Sequence, residues 1–114
     1  MAGKILEINE ESFDATISQK LVLIDFWAPW CGPCLAQGPI LEEVATAIGD
    51  TAVIAKVNVD NDVEIATRYG IQSIPTIILF KDGKVVQQFV GVQQKDMLLN
   101  AIKNHVLVGD LDDK

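Results

Sequence analysis

The run Leu21-Val22-Leu23-Ile24-Asp25-Phe26-Trp27 constrains the fold more than any other part of the chain. Its apolar residues do not alternate with polar ones, so it cannot be a strand with one wet face; it reads as a central strand buried on both sides. A strand of that kind needs helices above and below the sheet, and the surrounding sequence offers them. Ile5 to Ile8 reads as a short strand and Glu10 to Ser18 as a helix with Asn9 as its cap. Cys31 to Ile48 reads as a helix kinked near Gly38 by Pro39 and closed by Gly49-Asp50. Ala52 to Val59 is a β-branched run, and Val63 to Tyr69 a short helix that starts behind Asp60 to Asp62 and stops at Gly70.

Thr76 to Phe80 and Val85 to Val90 flank Asp82-Gly83, a strong hairpin signal, and are expected to pair antiparallel. From Lys95 to Val106, Leu98, Leu99, Ala101, Ile102 and Val106 recur at helical spacing, and Met97 is expected in the same core. The order β-α-β-α-β-α-β-β-α predicts an α/β sandwich: one mixed sheet of about five strands, parallel at the front with an antiparallel hairpin at its edge, flanked by four helices. With 114 residues the chain has the size of one domain, expected over 1–108, and the acidic end Gly109 to Lys114 reads as a frayed tail.

A domain of this size can fold on its hydrophobic core without disulfide staples, which leaves the two cysteines to be explained. Both lie in Trp30-Cys31-Gly32-Pro33-Cys34, directly after the buried strand and at the start of a helix. Unpaired N-H groups and a partial positive charge at a helix N-terminus stabilise a thiolate at Cys31, and Cys34, one turn on, can close a disulfide with it. The spacing permits exchange, in which Cys31 attacks a substrate disulfide and Cys34 resolves the mixed disulfide. Gly32 lets a substrate approach closely, and Pro33 can begin a helix without losing a hydrogen bond. Other readings stand beside this one. A structural bridge would close a very small loop and stabilise little; a zinc site needs four ligands, where the chain offers two cysteines and the distant His105; two inert buried thiols are a third.

Two charges interrupt β runs, Asp25 in Leu23-Ile24-Asp25-Phe26 and Lys56 in Ile54-Ala55-Lys56-Val57. A buried charge without a partner is costly, so each is expected near the other, either as a structural ion pair or as a carboxyl whose raised pKa lets it take a proton. Sixteen acidic against nine basic residues give a net charge of −7, unfavourable for binding a phosphate backbone or an anionic membrane. The start, Met1 to Phe13, has no long apolar stretch, so neither a signal peptide nor a membrane span is expected, and the cytoplasm is the simplest location.

The ordered set Asp25, Trp27-Ala28-Pro29-Trp30-Cys31-Gly32-Pro33-Cys34, Lys56, Ile74-Pro75-Thr76 and Phe89-Val90-Gly91-Val92 resembles the thioredoxin family from about Ile5 to Val106. The resemblance implies a small protein-disulfide reductase, a monomeric electron carrier rather than a stand-alone enzyme, with no bound cofactor and no metal. Electrons would come from NADPH through a thioredoxin reductase, or from ferredoxin through a ferredoxin-linked one. It further implies that Asp25 takes the proton of Cys34 and that Pro75 is a cis-proline facing the cysteines. Trp30, Gly32, Pro33, Ser73, Ile74, Gly91 and Val92 would form an apolar docking patch for disulfide-containing proteins, with Trp27 packed under the site. Leu35 stands where the family often has a basic or polar residue, Ser73 where glycine is common, and Gly38 where a side chain is usual. These departures bear on which partners dock. Relatives that work as oxidases or isomerases commonly carry His between the cysteines, where this chain has Gly32-Pro33. A non-catalytic binding module of the same fold is the remaining alternative.

Overall fold

The computed structural model describes residues 4–112, with side chains described as far as residue 106. Positions 1–3, and 113–114 of the expected acidic tail, lie outside the described residues. The elements run β1 (Ile5–Glu7), α1 (Glu10–Ile17), β2 (Leu21–Trp27), α2 (Gly32–Ile48), a 3-10 turn (Gly49–Thr51), β3 (Val53–Asn58), α3 (Val63–Arg68), β4 (Thr76–Lys81), β5 (Lys84–Val90) and α4 (Lys95–Asp112).

The strands form a five-stranded sheet in the order β1-β3-β2-β4-β5, with β2 at its centre. β2 pairs parallel with β3, from Val22↔Val53 to Trp27↔Asn58, and antiparallel with β4, from Leu21↔Lys81 to Phe26↔Thr76. Because side chains alternate along a strand, β2 feeds two separate cores. Leu21 and Leu23 pack with Leu41, Val44 and Ile48 of α2 and with Leu98 and Ile102 of α4. Val22, Ile24 and Phe26 pack on the opposite face with Phe13 and Ile17 of α1 and Ile65 of α3. The continuous apolar run is thus explained by helices on both sides of it. By the same alternation, Asp25 and Trp27 share the α2 face with Leu23.

Local chemistry sets the ends of several elements. Asn9 caps α1 by accepting the Ser12 N-H at 3.1 Å, while the Ser12 hydroxyl accepts the Asn9 N-H at 3.1 Å. Gly49 ends α2 with φ 57, and Pro39 lies inside that helix without ending it. The hairpin turns at Asp82 and Gly83, with φ 53 and 83, the left-handed pair a tight β-turn requires.

Two expectations are corrected. Met97 is 52% exposed and not core: the buried stripe of α4 is Leu98, Ala101 and Ile102, and Met97, one residue before it, is turned off that stripe. The backbone of α4 continues to Asp112, past the expected end at Val106. No proline stands in that stretch, and a single Gly109 costs a helix only about 1 kcal/mol.

Phe80 is fully buried and meets the rings of Phe13 and Tyr69 edge to face, at 6.0 and 5.4 Å between centroids. Phe80→Ala should therefore lower stability by about 3–5 kcal/mol in urea unfolding. Val86→Thr, on the exposed side of the same hairpin, should change it by about 0.5 kcal/mol or less.

Candidate active site

The chain leaves β2 at Trp27, turns through Ala28 to Trp30 and enters α2, so the first turn of a long helix stands over the carboxyl end of the central strand. Cys31 is the N-cap of that helix, with extended backbone (φ −91, ψ 110), and its Sγ accepts the Cys34 N-H at 3.1 Å. The sulfur thus occupies the place usually taken by a serine or aspartate oxygen at a helix start, where negative charge is stabilised. Pro33 in the first turn gives up no intrahelical bond. Cys31 and Cys34 are joined as a disulfide with their Cα atoms 5.2 Å apart, and both are buried. Gly32 and Pro33, between them, are exposed, and a side chain at Gly32 would meet nothing within 4 Å.

A second chain segment meets this turn, and a third is bonded to that second one. The Ile74–Pro75 peptide bond is cis, and the Ile74 carbonyl oxygen lies 3.7 Å from Cys31 Sγ. The Gly91 N-H, just past β5, donates to the Pro75 carbonyl at 2.8 Å, and Gly91 takes φ 91, a conformation that favours glycine. Ser73 is exposed, Ile74 half-buried and Val92 exposed. Trp30 is 70% exposed, yet its ring is fixed at one edge: Nε1 donates to Asp60 Oδ2 at 2.9 Å. Asp60 is itself held by its N-H, which donates to Asn58 Oδ1 at 2.9 Å. Leu35 projects into solvent beside Cys34.

Asp25 is 1% exposed, and neither carboxylate oxygen has a hydrogen-bond partner among the described residues. Burial raises its pKa from 3.8 to about 7, while the nearby Lys56 cation acts in the opposite direction. Asp25 and Lys56 are register partners on β2 and β3, near one another as the sequence suggests, and of its two readings the close ion pair is not formed. The Lys56 ammonium sits 4.0 Å from the centroid of the Trp27 ring. A cation on an aromatic face keeps its charge near Asp25 without neutralising it by contact. Trp27 packs against Ala28, Cys31 and Cys34, and its indole N-H is buried without an acceptor among the described residues.

Two residues of the site are not legible as such in the sequence. Asp60 reads there only as part of the start of α3, and nothing along the chain shows that it meets Trp30. Gln37 is fully buried on α2 and binds the backbone of Gln93 through both ends of its amide. Here a signal is present: Gln37 falls four residues before Leu41 and seven before Val44, on the stripe that helical spacing assigns to the core. His105, the distant histidine, lies late in α4, where its carbonyl accepts from Lys81 Nζ at 2.8 Å. Among the described residues, no three His, Cys, Asp or Glu side chains are grouped to hold a metal ion, and no helix is long and apolar enough to cross a membrane.

A family model described as Thioredoxin matches residues 4–104. The chain is similar to a thioredoxin of Chlorobaculum thiosulfatiphilum, 48% identical over 107 residues that span 92% of this chain and 99% of the relative. It is also similar to a thioredoxin of Bacillus subtilis (strain 168), 44% identical over 102 residues, 90% of this chain and 98% of the relative. Among solved structures, a mutant thioredoxin from Halobacterium salinarum NRC-1 superposes with a TM-score of 0.82 at 36% identity, covering 89% of each chain.

The raised pKa of Asp25 makes stability depend on pH with a definite sign. In the folded protein the carboxyl keeps its proton up to about pH 7, whereas in the unfolded chain it is lost near 3.8. Unfolding between those values releases a proton, so stability falls as pH rises through that window and levels off above it. At about 1.4 kcal/mol per unit, the penalty above pH 7 is on the order of a few kcal/mol. Urea unfolding should show Asp25→Asn more stable than the parent by that amount at pH 8 and little different at pH 4. An equal difference at both values would contradict the assignment.

Proposed function

Because the chain belongs to the thioredoxin family, we propose that it is a protein-disulfide reductase working through Cys31 and Cys34. The observation that carries this reading is the position of Cys31: a sulfur at the N-cap of α2, accepting a backbone N-H, beside the Ile74 carbonyl and directly after the exposed Trp30 in the chain. Reduced, such a sulfur is a stabilised thiolate. It attacks one sulfur of a substrate disulfide, forming the mixed disulfide and expelling the other substrate sulfur as a thiolate. Cys34, deprotonated, then attacks Cys31 Sγ, releasing the second substrate thiol and leaving the Cys31–Cys34 disulfide. Two electrons pass from the cysteine pair to the substrate.

In this scheme Asp25 accepts the proton of Cys34. A carboxyl whose pKa lies at about 7 is suited to do so near neutral pH, and Lys56, held on the Trp27 ring, keeps that pKa from rising further. Substrate would lie as an extended segment against the Ile74 backbone, with Trp30, Gly32, Pro33, Ser73, Gly91 and Val92 around it. The openness at Gly32 and Gly91, where an added Cβ would touch nothing within 4 Å, supports a close backbone approach there. A thioredoxin reductase drawing on NADPH, or a ferredoxin-linked one, would return the pair to the dithiol. Such a duty fits a reducing compartment, and we assign the protein to the cytoplasm, acting as a monomeric single domain over 1–108.

With NADPH and a matched thioredoxin reductase, the protein should reduce the disulfides of insulin. Cys31→Ser should abolish turnover, and Cys34→Ser should accumulate a mixed disulfide at Cys31, seen as a mass adduct cleared by dithiothreitol. In stopped-flow measurements Asp25→Asn should slow resolution by about tenfold or more while affecting the first attack less. Failure to turn over insulin with a matched reductase would contradict the reading, and equal slowing of both steps would remove Asp25 from it.

A further inference from the structure

Gln37 stands one turn after Cys34 on α2, about 9 Å along the helix axis from Cys31, and is 0% exposed. A buried side-chain amide is costly unless both its ends are bonded. Here they are bonded to one residue: Gln37 Nε2 donates to the Gln93 carbonyl at 3.0 Å, and Gln37 Oε1 accepts the Gln93 N-H at 2.7 Å. That is the reciprocal pair a neighbouring strand residue would make. Gln93 lies just after β5 has left the sheet, so the side chain of α2 replaces the strand partner that the backbone no longer has.

The consequence concerns the loop between β5 and α4. It is tied at one end by the Gly91 N-H to the Pro75 carbonyl at 2.8 Å, and at the other by Gln93 to Gln37. The Gln93 side chain closes the loop on itself, its Nε2 donating to the carbonyls of Gly91 at 3.2 Å and Val90 at 3.4 Å. Val92 lies between the two ties, exposed. One tie fastens the loop to the cis-proline segment and the other to the helix that carries both cysteines, so Gly91 and Val92 are held in a set relation to Cys31.

We propose that Gln37 is a positioning residue for substrate docking, which fixes the Gly91–Val92 edge of the docking surface against α2. The role rests on the reductase reading above, and adds to it a buried residue whose side-chain hydrogen bonds go to Gln93 and to neither cysteine. Loss of the clamp should weaken the capture of a protein disulfide, because the loop must then be ordered at the moment of binding, and should leave the exchange step itself alone.

The test uses Gln37→Leu, which keeps the bulk of the side chain and removes both bonds. With NADPH and a matched thioredoxin reductase, its KM for insulin should rise about three- to tenfold while kcat stays within about twofold. Amide hydrogen exchange supplies a readout that does not depend on the variant folding. In the parent, the Gln93 N-H should exchange at least about tenfold more slowly than that of Val92, and in Gln37→Leu this protection should disappear. A parent whose Gln93 amide exchanges as fast as that of Val92 would overturn the clamp. A folded variant with unchanged KM, or with kcat and KM altered only in step with a general loss of stability, would overturn its role in docking. A parent that reduces no protein disulfide would overturn the reductase reading and this one together; an active parent with an indistinguishable variant would overturn this one alone.

Discussion

The structure depends on the burial of β2 on both faces. Once Leu21 to Trp27 is placed at the centre of the sheet, α2 and α4 must cover one side and α1 and α3 the other. The chain can then leave the strand only at the rim, where the first turn of α2 stands. The reactive position follows from this packing. Cys31 sits at the start of α2, over the carboxyl end of the central strand, with its sulfur accepting the Cys34 N-H, which has no partner within the helix. A loop alone would not hold a thiolate and its resolving partner in register in this way.

The same burial imposes a penalty at Asp25. The carboxyl shares the α2 face of β2 with Leu23 and finds no hydrogen-bond donor among the described residues, and the Lys56 cation that acts on it is parked on the Trp27 ring. A fold selected for stability alone would place leucine or asparagine at that position. The retention of an acid whose proton is balanced near neutral pH is what a proton acceptor for a buried thiol requires, so the strain on stability and the proposed step have one cause.

Much of this can be read along the chain because the signals are local. The apolar run of β2, the Asp82-Gly83 turn, the Asn9 cap and the Cys-Gly-Pro-Cys spacing each express a preference of a few neighbouring residues, and the element order agrees with them. What is not legible depends on contacts between distant segments. Asp25 and Lys56 are adjacent in register, but the choice of Lys56 to rest on Trp27 is made by three side chains packed together. Asp60 finds Trp30 across thirty positions of sequence, and Gln37 finds Gln93 across fifty-six. Met97 departs from expectation for a different reason: an apolar residue beside a helical stripe is not thereby on it. The segments around the cysteine turn are therefore tied by tertiary hydrogen bonds, on a scaffold whose outline is written locally.

Whether the cysteine pair is built to donate electrons or to withdraw them is the most direct question to put to this molecule. Equilibrating the protein with defined ratios of reduced and oxidised glutathione, and trapping the fractions by alkylation, measures its reduction potential. A reducing pair is expected, at or below roughly −250 mV, near the value typical of thioredoxin. A potential near about −120 mV, that of a strong disulfide oxidant, would contradict the role of Cys31 and Cys34 as an electron donor.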